Sequence, residues 1–446
     1  MRWLPILYLA WALPLVFVVA CVTPPFQNPD EGNHMLRAVQ VERGGLTGFR
    51  HVSPTPPERL SAGGYSDAAI SVAKAPFVKL PGHRAVKATQ DEFARSGNVP
   101  FGPSTLSWFP NTALYPPFFY LPAALGIGVA QIAGLHVLDG LYAARFADGV
   151  VAVLLTFLAL VVARRARPAL AVLAMLPMTV ALYAALTQDA LLIPAVFLAV
   201  GLADRIVAED RAASRRELVA IAILIGLVAT ARPPYVALAF MLPALAKGEA
   251  RRGWIACSAV VAVAVLWFVY IAVFVLVDNA SGKPGAQVQY LLAHPGSMIA
   301  IASDTLRNML ILIGHEMIGN LGWLDTPLPR WFWDAAGIAL LGGFAGATAG
   351  PARRAWAFVL IPLVACGAII AASYIQWSAP GAHFAYGLQG RYFTPILAVF
   401  ALALPSLPAA VRPAVASVAT IAIGILWLLG PATMLWTLVA RFYLNP

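Results

Sequence analysis

Residues 3–22 read WLPILYLAWALPLVFVVACV, and residues 23–37 read TPPFQNPDEGNHMLR. The first stretch runs 20 residues without a charge, the length an α-helix needs to cross a bilayer. It gives way at once to a Pro-rich polar segment carrying two adjacent acids, Asp30 and Glu31. Val18-Val19-Ala20-Cys21 resembles a lipoprotein cleavage site, but the run is long for a signal peptide and its basic flank is Arg2 alone, so it is read as a retained first helix.

The same alternation of apolar run and polar break extends along the chain. Of 446 residues, 60% are hydrophobic and 11% charged, and the mean hydropathy is +0.78. That composition excludes a soluble globular protein and points to one integral membrane domain over residues 1–446. The net charge is +10, from 30 Lys and Arg against 20 Asp and Glu. The basic residues sit in short turns, Arg164/Arg165/Arg167, Arg205 to Arg216, Lys247/Arg251/Arg252, Arg353/Arg354 and Arg412. Such turns mark the cytoplasmic side and set orientation rather than bind nucleic acid. Cys21, Cys257 and Cys366 lie in or at the end of apolar runs, so neither a disulfide framework nor a zinc site follows.

With those turns inside, helix ends are expected outside near Val22, Gln188, Arg232, Asp278, Gln376 and Trp436, with the N-terminus cytoplasmic and the C-terminus outside. Two segments then lie outside: 23–111, whose Pro, Gly and polar content excludes a span, and 278–330, which includes the weakly apolar stretch 297–313. Residues 113–133 are apolar enough to span, yet 141–163 has to run from outside to inside to reach Arg164. Residues 113–133 are therefore expected to lie along or dip into the outer leaflet, starting at Tyr115-Pro116-Pro117-Phe118. Ala231-Arg232-Pro233-Pro234 breaks 218–246 into two short or tilted helices of about 14 and 12 residues. The expected fold class is all-α, a polytopic helix bundle with about eleven crossings or part-crossings and extracytoplasmic juxtamembrane helices. No fixed-period repeat marks an inverted-repeat transporter.

Pro29 followed by Asp30 and Glu31 opens a helix on which Asp30, His34 and Arg37 fall at i, i+4 and i+7, on one face. A carboxylate there can take a proton from a hydroxyl; equally, the two acids can complement the helix dipole. Asp189, in Leu186-Thr187-Gln188-Asp189-Ala190, sits where two helices turn and reads as a solvated turn residue, an N-cap or a site acid. Arg232 can clamp a phosphate or neutralise an acid such as Asp189. His315-Glu316 and the turn-rich 319–329 form an outer segment whose tryptophans suit an interface; the His-Glu pair is a weak metal signal beside a packing role. In Gln389-Gly390-Arg391-Tyr392-Phe393-Thr394-Pro395, Arg391 has no local acidic partner, which favours an anionic ligand such as phosphate over an interfacial anchor. No phosphate-binding glycine loop, dinucleotide fingerprint, Gly-x-Ser-x-Gly or His-Glu-x-x-His occurs, so soluble-nucleotide chemistry has no motif. Group transfer at the outer face then needs a donor carried across by a lipid.

Thr23 to Arg37, Gln188-Asp189-Ala190, Arg232-Pro233-Pro234-Tyr235, Gly319 to Pro329 and Gln389 to Pro395 resemble, in order and over nearly the whole chain, the successive motifs of a bacterial polytopic membrane family catalogued as domain of unknown function 2142. That family is similar to the GT-C glycosyltransferases, multi-span enzymes that pass a sugar from a polyprenyl phosphate on the outer face to an acceptor. The resemblance implies Asp30 as catalytic base with Glu31 beside it, Arg391 and then Arg232 as holders of the donor phosphate, and Asp189 as a second acid. His34, Arg37, Gln389 and Tyr392 complete the expected substrate-binding set. The implied reaction is an inverting transfer to a cell-surface or cell-wall glycan at a bacterial inner membrane, with membrane lipids around it. No cofactor and no required metal are expected; where GT-C members bind a divalent metal, Asp30, Glu31, His34 and Asp189 are the ligands this chain offers. The large soluble C-terminal domain of some GT-C enzymes has no counterpart here, which leaves acceptor recognition to the first outer segment. A transporter or flippase for lipid-linked saccharides, and a structural subunit of a polysaccharide assembly, are the competing classes.

Overall fold

The computed structural model describes residues 3–52, 60–277, 284–348 and 356–444. Asp278 and Arg353/Arg354, named above as a helix end and a basic turn, lie outside the described residues. The main elements are α1 (Leu4–Val22), α2 (Glu31–Glu42), β1 (Phe49–Val52), β2 (Leu60–Asp67), β3 (Ser104–Trp108), α3 (Leu121–Ile132), α4 (Val137–Val162), α5 (Asp189–Ala208), α6 (Arg215–Ala231), α7 (Ala250–Phe274), α8 (Ser297–Gly319), α9 (Arg330–Ala347), α10 (Ala357–Trp377), α11 (Thr394–Phe400) and α12 (Arg412–Phe442), joined by shorter helices and turns.

Among the described residues seven helices, α1, α4, α5, α7, α8, α10 and α12, are long and apolar enough to cross a membrane. Segment 23–111 contributes none of them. Segment 278–330, expected wholly outside, does: α8 is a 23-residue helix and one of the seven. Its polar residues are gathered locally, with Arg307 paired to Asp304 at 3.5 Å and Asn308 donating to the Asp304 carbonyl, which hides an otherwise apolar length. The two segments expected to fall short of a single clean crossing do so. Residues 113–133 become a 3-10 turn, Pro117–Tyr120, and the 12-residue α3, too short to span. Residues 218–246 break after Ala231 into the 3-10 helix Pro233–Phe240 and the short helix Met241–Leu245. The stretch after the first basic turn divides into Arg167–Ala174 and Pro177–Tyr183. Every residue from 168 to 197 is buried, so this irregular backbone is enclosed by protein, as irregular backbone at membrane depth has to be.

The all-α expectation needs one correction. A three-stranded antiparallel sheet, order β1-β2-β3, forms within 23–111, with Phe49 opposite Gly63 and Tyr65 opposite Leu106. Its central strand carries Gly63 and Gly64, and a Cβ at either would run into the Ser107 carbonyl or the Gln40 amide. Strand pairing here rests on close backbone approach rather than on the apolar alternation that marks a strand in sequence.

Hydrogen bonds define two ends of the bundle. At one, Arg50 of β1 donates to the carbonyls of Ala272 and Leu276, capping α7, and Tyr443 after α12 donates to the Val22 carbonyl at the end of α1. At the other, the Asp204 carboxylate accepts the amides of Arg164, Arg165 and Ala166 at 2.6, 2.7 and 3.0 Å, and Lys247 pairs with Asp210. The basic turns at Arg164 to Arg167, Arg205 to Arg211 and Lys247 are thus gathered away from the sheet.

Candidate functional site

Glu31 and Arg145 fix the geometry from below. Both side chains are fully buried. Arg145 Nε and Nη2 donate to Glu31 Oε1 and Oε2 at 2.8 and 2.6 Å. The remaining donors go to the carbonyls of Ala20, Thr23 and Pro24 at and just after the end of α1. Glu31 also accepts from the Leu186 amide and the Asn28 side chain. One ion pair therefore pins α1, α2, α4 and the turn before α5 together.

Asp30 stands at the N-cap of α2 with φ 60°, the left-handed region, and makes no side-chain cap bond. For a non-glycine residue that backbone costs about 1 kcal/mol. Its carbonyl accepts the amides of Asn33 and His34, while its half-buried carboxylate has no hydrogen bond or ion pair among the described residues. Four residues on, His34 is buried, with Nδ1 at 2.7 Å from the Tyr120 hydroxyl and Nε2 at 3.4 Å from Thr187 Oγ1. Burial pushes its pKa down to about 3; Asp189 works against that shift, and Arg391 and Arg232 add to it. The ring is neutral at physiological pH.

The Thr187 hydroxyl accepts the Asp189 amide at 3.4 Å, which joins α2 to the charged cluster. Asp189, the first residue of α5, is buried. Arg232 Nη2 donates to its Oδ1 and Oδ2 at 2.7 and 2.9 Å. Arg391 Nε lies 3.3 Å from Oδ2, close enough for an ion pair although the N–H is not angled to donate. Each arginine has a support. Arg232 stacks 4.0 Å from the Tyr392 ring centre, and the Tyr235 hydroxyl holds the Tyr392 carbonyl at 2.7 Å. Arg391 is aimed by the 3-10 turn Gly390–Tyr392, whose Gly390 amide donates to Glu316 Oε2 at 3.0 Å. A Cβ at Gly390 would collide with the backbone of α8 at Met317 and Ile313, so only glycine permits that approach. Burial disfavours charge on both guanidinium groups, but Asp189 more than offsets it and raises both pKa values.

Two positive groups share one carboxylate, with Asp30 within electrostatic reach of Arg391. Buried Arg232 Nη1, Gln188 Oε1, Gln389 Oε1 and Thr394 Oγ1 have no hydrogen-bond partner among the described residues. Orphans of this kind are rare in folded proteins and call for an explanation. Unpaired donors, acceptors and a hydroxyl on residues in or next to the arginine pair suit an anion that also carries hydroxyl groups.

Of the residues expected from the sequence, the structure brings together His34, Asp189, Arg232, Arg391 and Tyr392, with Asp30 and Gln389 at their margin. It takes two away. Glu31, expected beside Asp30 as a catalytic acid, is committed to Arg145. Arg37, expected to bind substrate, is fully buried and donates to the carbonyls of Gly45, Leu46 and Tyr115 and to Gln40, holding the loop after α2. The i, i+7 spacing is real, but the Arg37 face packs into the protein. Arg145, Thr187 and Tyr120 carry geometry that motif reasoning passed over, and Glu316, read beside His315 as a packing or weak metal residue, holds the Gly390 turn; a charge inside the apolar run 141–163 was the available signal for Arg145. Among the described residues no group of three or more His, Cys, Asp or Glu is gathered as a metal site; Glu31 is turned to Arg145 and Asp189 to the two arginines.

No curated protein and no solved structure matches the chain. A family model does match, described as predicted membrane protein, DUF2142, over residues 13–400. Those residues include the C-terminal half of α1, the Asp30 turn, the Asp189–Arg232–Arg391 cluster and five whole candidate spans, α4, α5, α7, α8 and α10, and the chain belongs to that family of membrane proteins.

Proposed function

We propose that the chain is a membrane glycosyltransferase that moves a sugar from a polyprenyl-phosphate donor to a glycan acceptor on the extracytoplasmic side of a bacterial inner membrane. The observation that carries this reading is the buried cluster in which Arg232 and Arg391 share Asp189 and keep a donor to spare, beside an Asp30 carboxylate with no partner. A sugar–phosphate–polyprenyl diester carries one negative charge, which the two guanidinium groups, paired directly with the single carboxylate of Asp189, can take up, while Asp30 and Glu316 act on Arg391 at longer range. Gln188, Gln389 and the Thr394 hydroxyl supply partners for sugar hydroxyls. The basic turns gathered at the opposite end support a cytoplasmic assignment for that end.

In the reaction the acceptor O–H bond breaks and its proton passes to the Asp30 carboxylate. The acceptor oxygen bonds to the anomeric carbon while the bond from that carbon to the phosphate oxygen breaks, its electron pair leaving on the phosphate. The phosphate gains a second negative charge, and the two guanidinium groups stabilise it where it develops. His34, neutral, positions α2 against the Thr187 turn rather than moving the proton.

The test is genetic. Chromosomal Asp30→Asn or Arg391→Ala is expected to remove one sugar from the surface or cell-wall glycan while protein levels stay normal, with transfer reduced by about 10²–10³-fold for the arginine. Full modification of the glycan by both mutants would sink the reading.

A further inference from the structure

A cleft of about 200 Å³ lies where the first segment meets the 319–329 turn. Phe26, Phe77, Pro81 and Trp323 wall it, and Gln27 and Lys74 are its polar members. Its walls are tied: Trp323 Nε1 donates to the Phe26 carbonyl at 3.1 Å, and Gln27 Nε2 donates to the Phe77 carbonyl at 3.2 Å. Phe26 itself is buried with φ 63°, a strained conformation held by these contacts.

Lys74 is the unexplained member. Its half-buried side chain lies along the first turn of α2, so close that a Cβ on Gly32 would sit 3.0 Å from Lys74 Cδ and 3.3 Å from Nζ. Among the described residues its ammonium has no hydrogen bond or ion pair. A half-buried tryptophan and an unpaired ammonium lining one cleft of about 200 Å³ are the chemistry that holds an acidic sugar. Asp30 leaves the same first turn of α2, four residues from Phe26.

We propose that this cleft binds an acidic hexose of the glycan acceptor, with Lys74 on its carboxylate and Trp323 against the ring. As an acceptor subsite it rests on the glycosyl-transfer reading; as a saccharide site it stands separately. The experiment is saturation-transfer NMR on the full chain in nanodiscs, with methyl glucuronide, methyl glucoside and inorganic phosphate as probes. Wild type is expected to prefer the glucuronide. Lys74→Gln weakens it about tenfold and leaves the glucoside within about twofold, and Lys74→Arg restores it. Trp323→Leu weakens both sugars, and Asp30→Asn weakens neither. Equal binding of the two sugars by wild type, an unchanged glucuronide affinity in Lys74→Gln, or phosphate binding that ignores Trp323 overturns the proposal. Glucuronide binding through Lys74 in a chain that consumes no lipid-linked sugar overturns the transfer reading alone. Transfer without glucuronide binding overturns the cleft alone.

Discussion

Asp30 and Glu31 are neighbours whose side chains meet different surroundings, and substitution separates them. Glu31→Gln leaves Arg145 buried and unpaired, so a loss of about 3–5 kcal/mol of stability is expected, read as a lower melting temperature and poor recovery from the membrane. Asp30 holds no partner and sits at φ 60°, so Asp30→Gly is expected to melt at or above wild type, by about 0.5–1 kcal/mol, while transfer is lost. A melting temperature that falls with Asp30→Gly contradicts a purely chemical role. His34 gives a pH test. Its folded pKa of about 3 lies below the ordinary 6.5, so below pH 6.5 the unfolded chain takes up a proton that the folded one refuses. Stability from this group is complete above pH 6.5 and falls towards pH 3 by up to about 1.4 kcal/mol per unit. Melts of wild type and His34→Gln between pH 7 and 4.5 check this, the mutant showing the shallower decline. The charges themselves were legible in the sequence because Asp189, Arg232 and Arg391 stand at the ends of apolar runs without local partners. The Asp189–Arg232 pair was one of the two readings the sequence offered for Arg232, and the structure takes it; the sharing of Asp189 with Arg391 was not legible, since spacing along a helix says which residues share a face, not what that face touches. Arg37 shows the cost of that gap.

At the scale of elements, the sheet and the buried end of α4 are the parts least visible in the sequence. Gly63→Ala is expected to push β2 off β3 and cost about 1–3 kcal/mol, with new proteolytic nicking in the first segment as the readout; protection equal to wild type would show that the strands tolerate a side chain. Asp148 in α4 is buried with neither carboxylate oxygen in hydrogen-bond geometry, although the Ala123 amide at the start of α3 faces it. Asp148→Leu removes that desolvated group and is expected to leave the melting temperature unchanged or higher. The helix breaks at Pro116-Pro117 and Pro233-Pro234 were readable because proline removes a donor and fixes φ. The break before Pro177 was harder to see, being enclosed on all sides by apolar residues.

Across the described residues, seven long helices, several interrupted ones and a sheet-capped end form a bundle whose basic turns at Arg164 to Arg167, Arg205 to Arg211 and Lys247 collect at the opposite end. That polarity predicts labelling. In a variant lacking Cys21, Cys257 and Cys366, a cysteine at Ser104, exposed in β3, is expected to react with an impermeant thiol reagent in intact cells, and one at Ala250, exposed at the start of α7, only after permeabilisation. The reverse pattern would put the charged cluster on the cytoplasmic side and remove the need for a lipid-carried donor. The central claim is that the Asp30 and Asp189–Arg232–Arg391 groups act on a polyprenyl-phosphate sugar. It is tested most directly by single-turnover release of label from a panel of radiolabelled polyprenyl-phosphate sugars by purified protein in nanodiscs, with surface glycan as acceptor. The expected result is that one donor loses its label to the glycan with wild type and not with Asp30→Asn. Donors that bind and are never consumed, or equal release by the mutant, would contradict it.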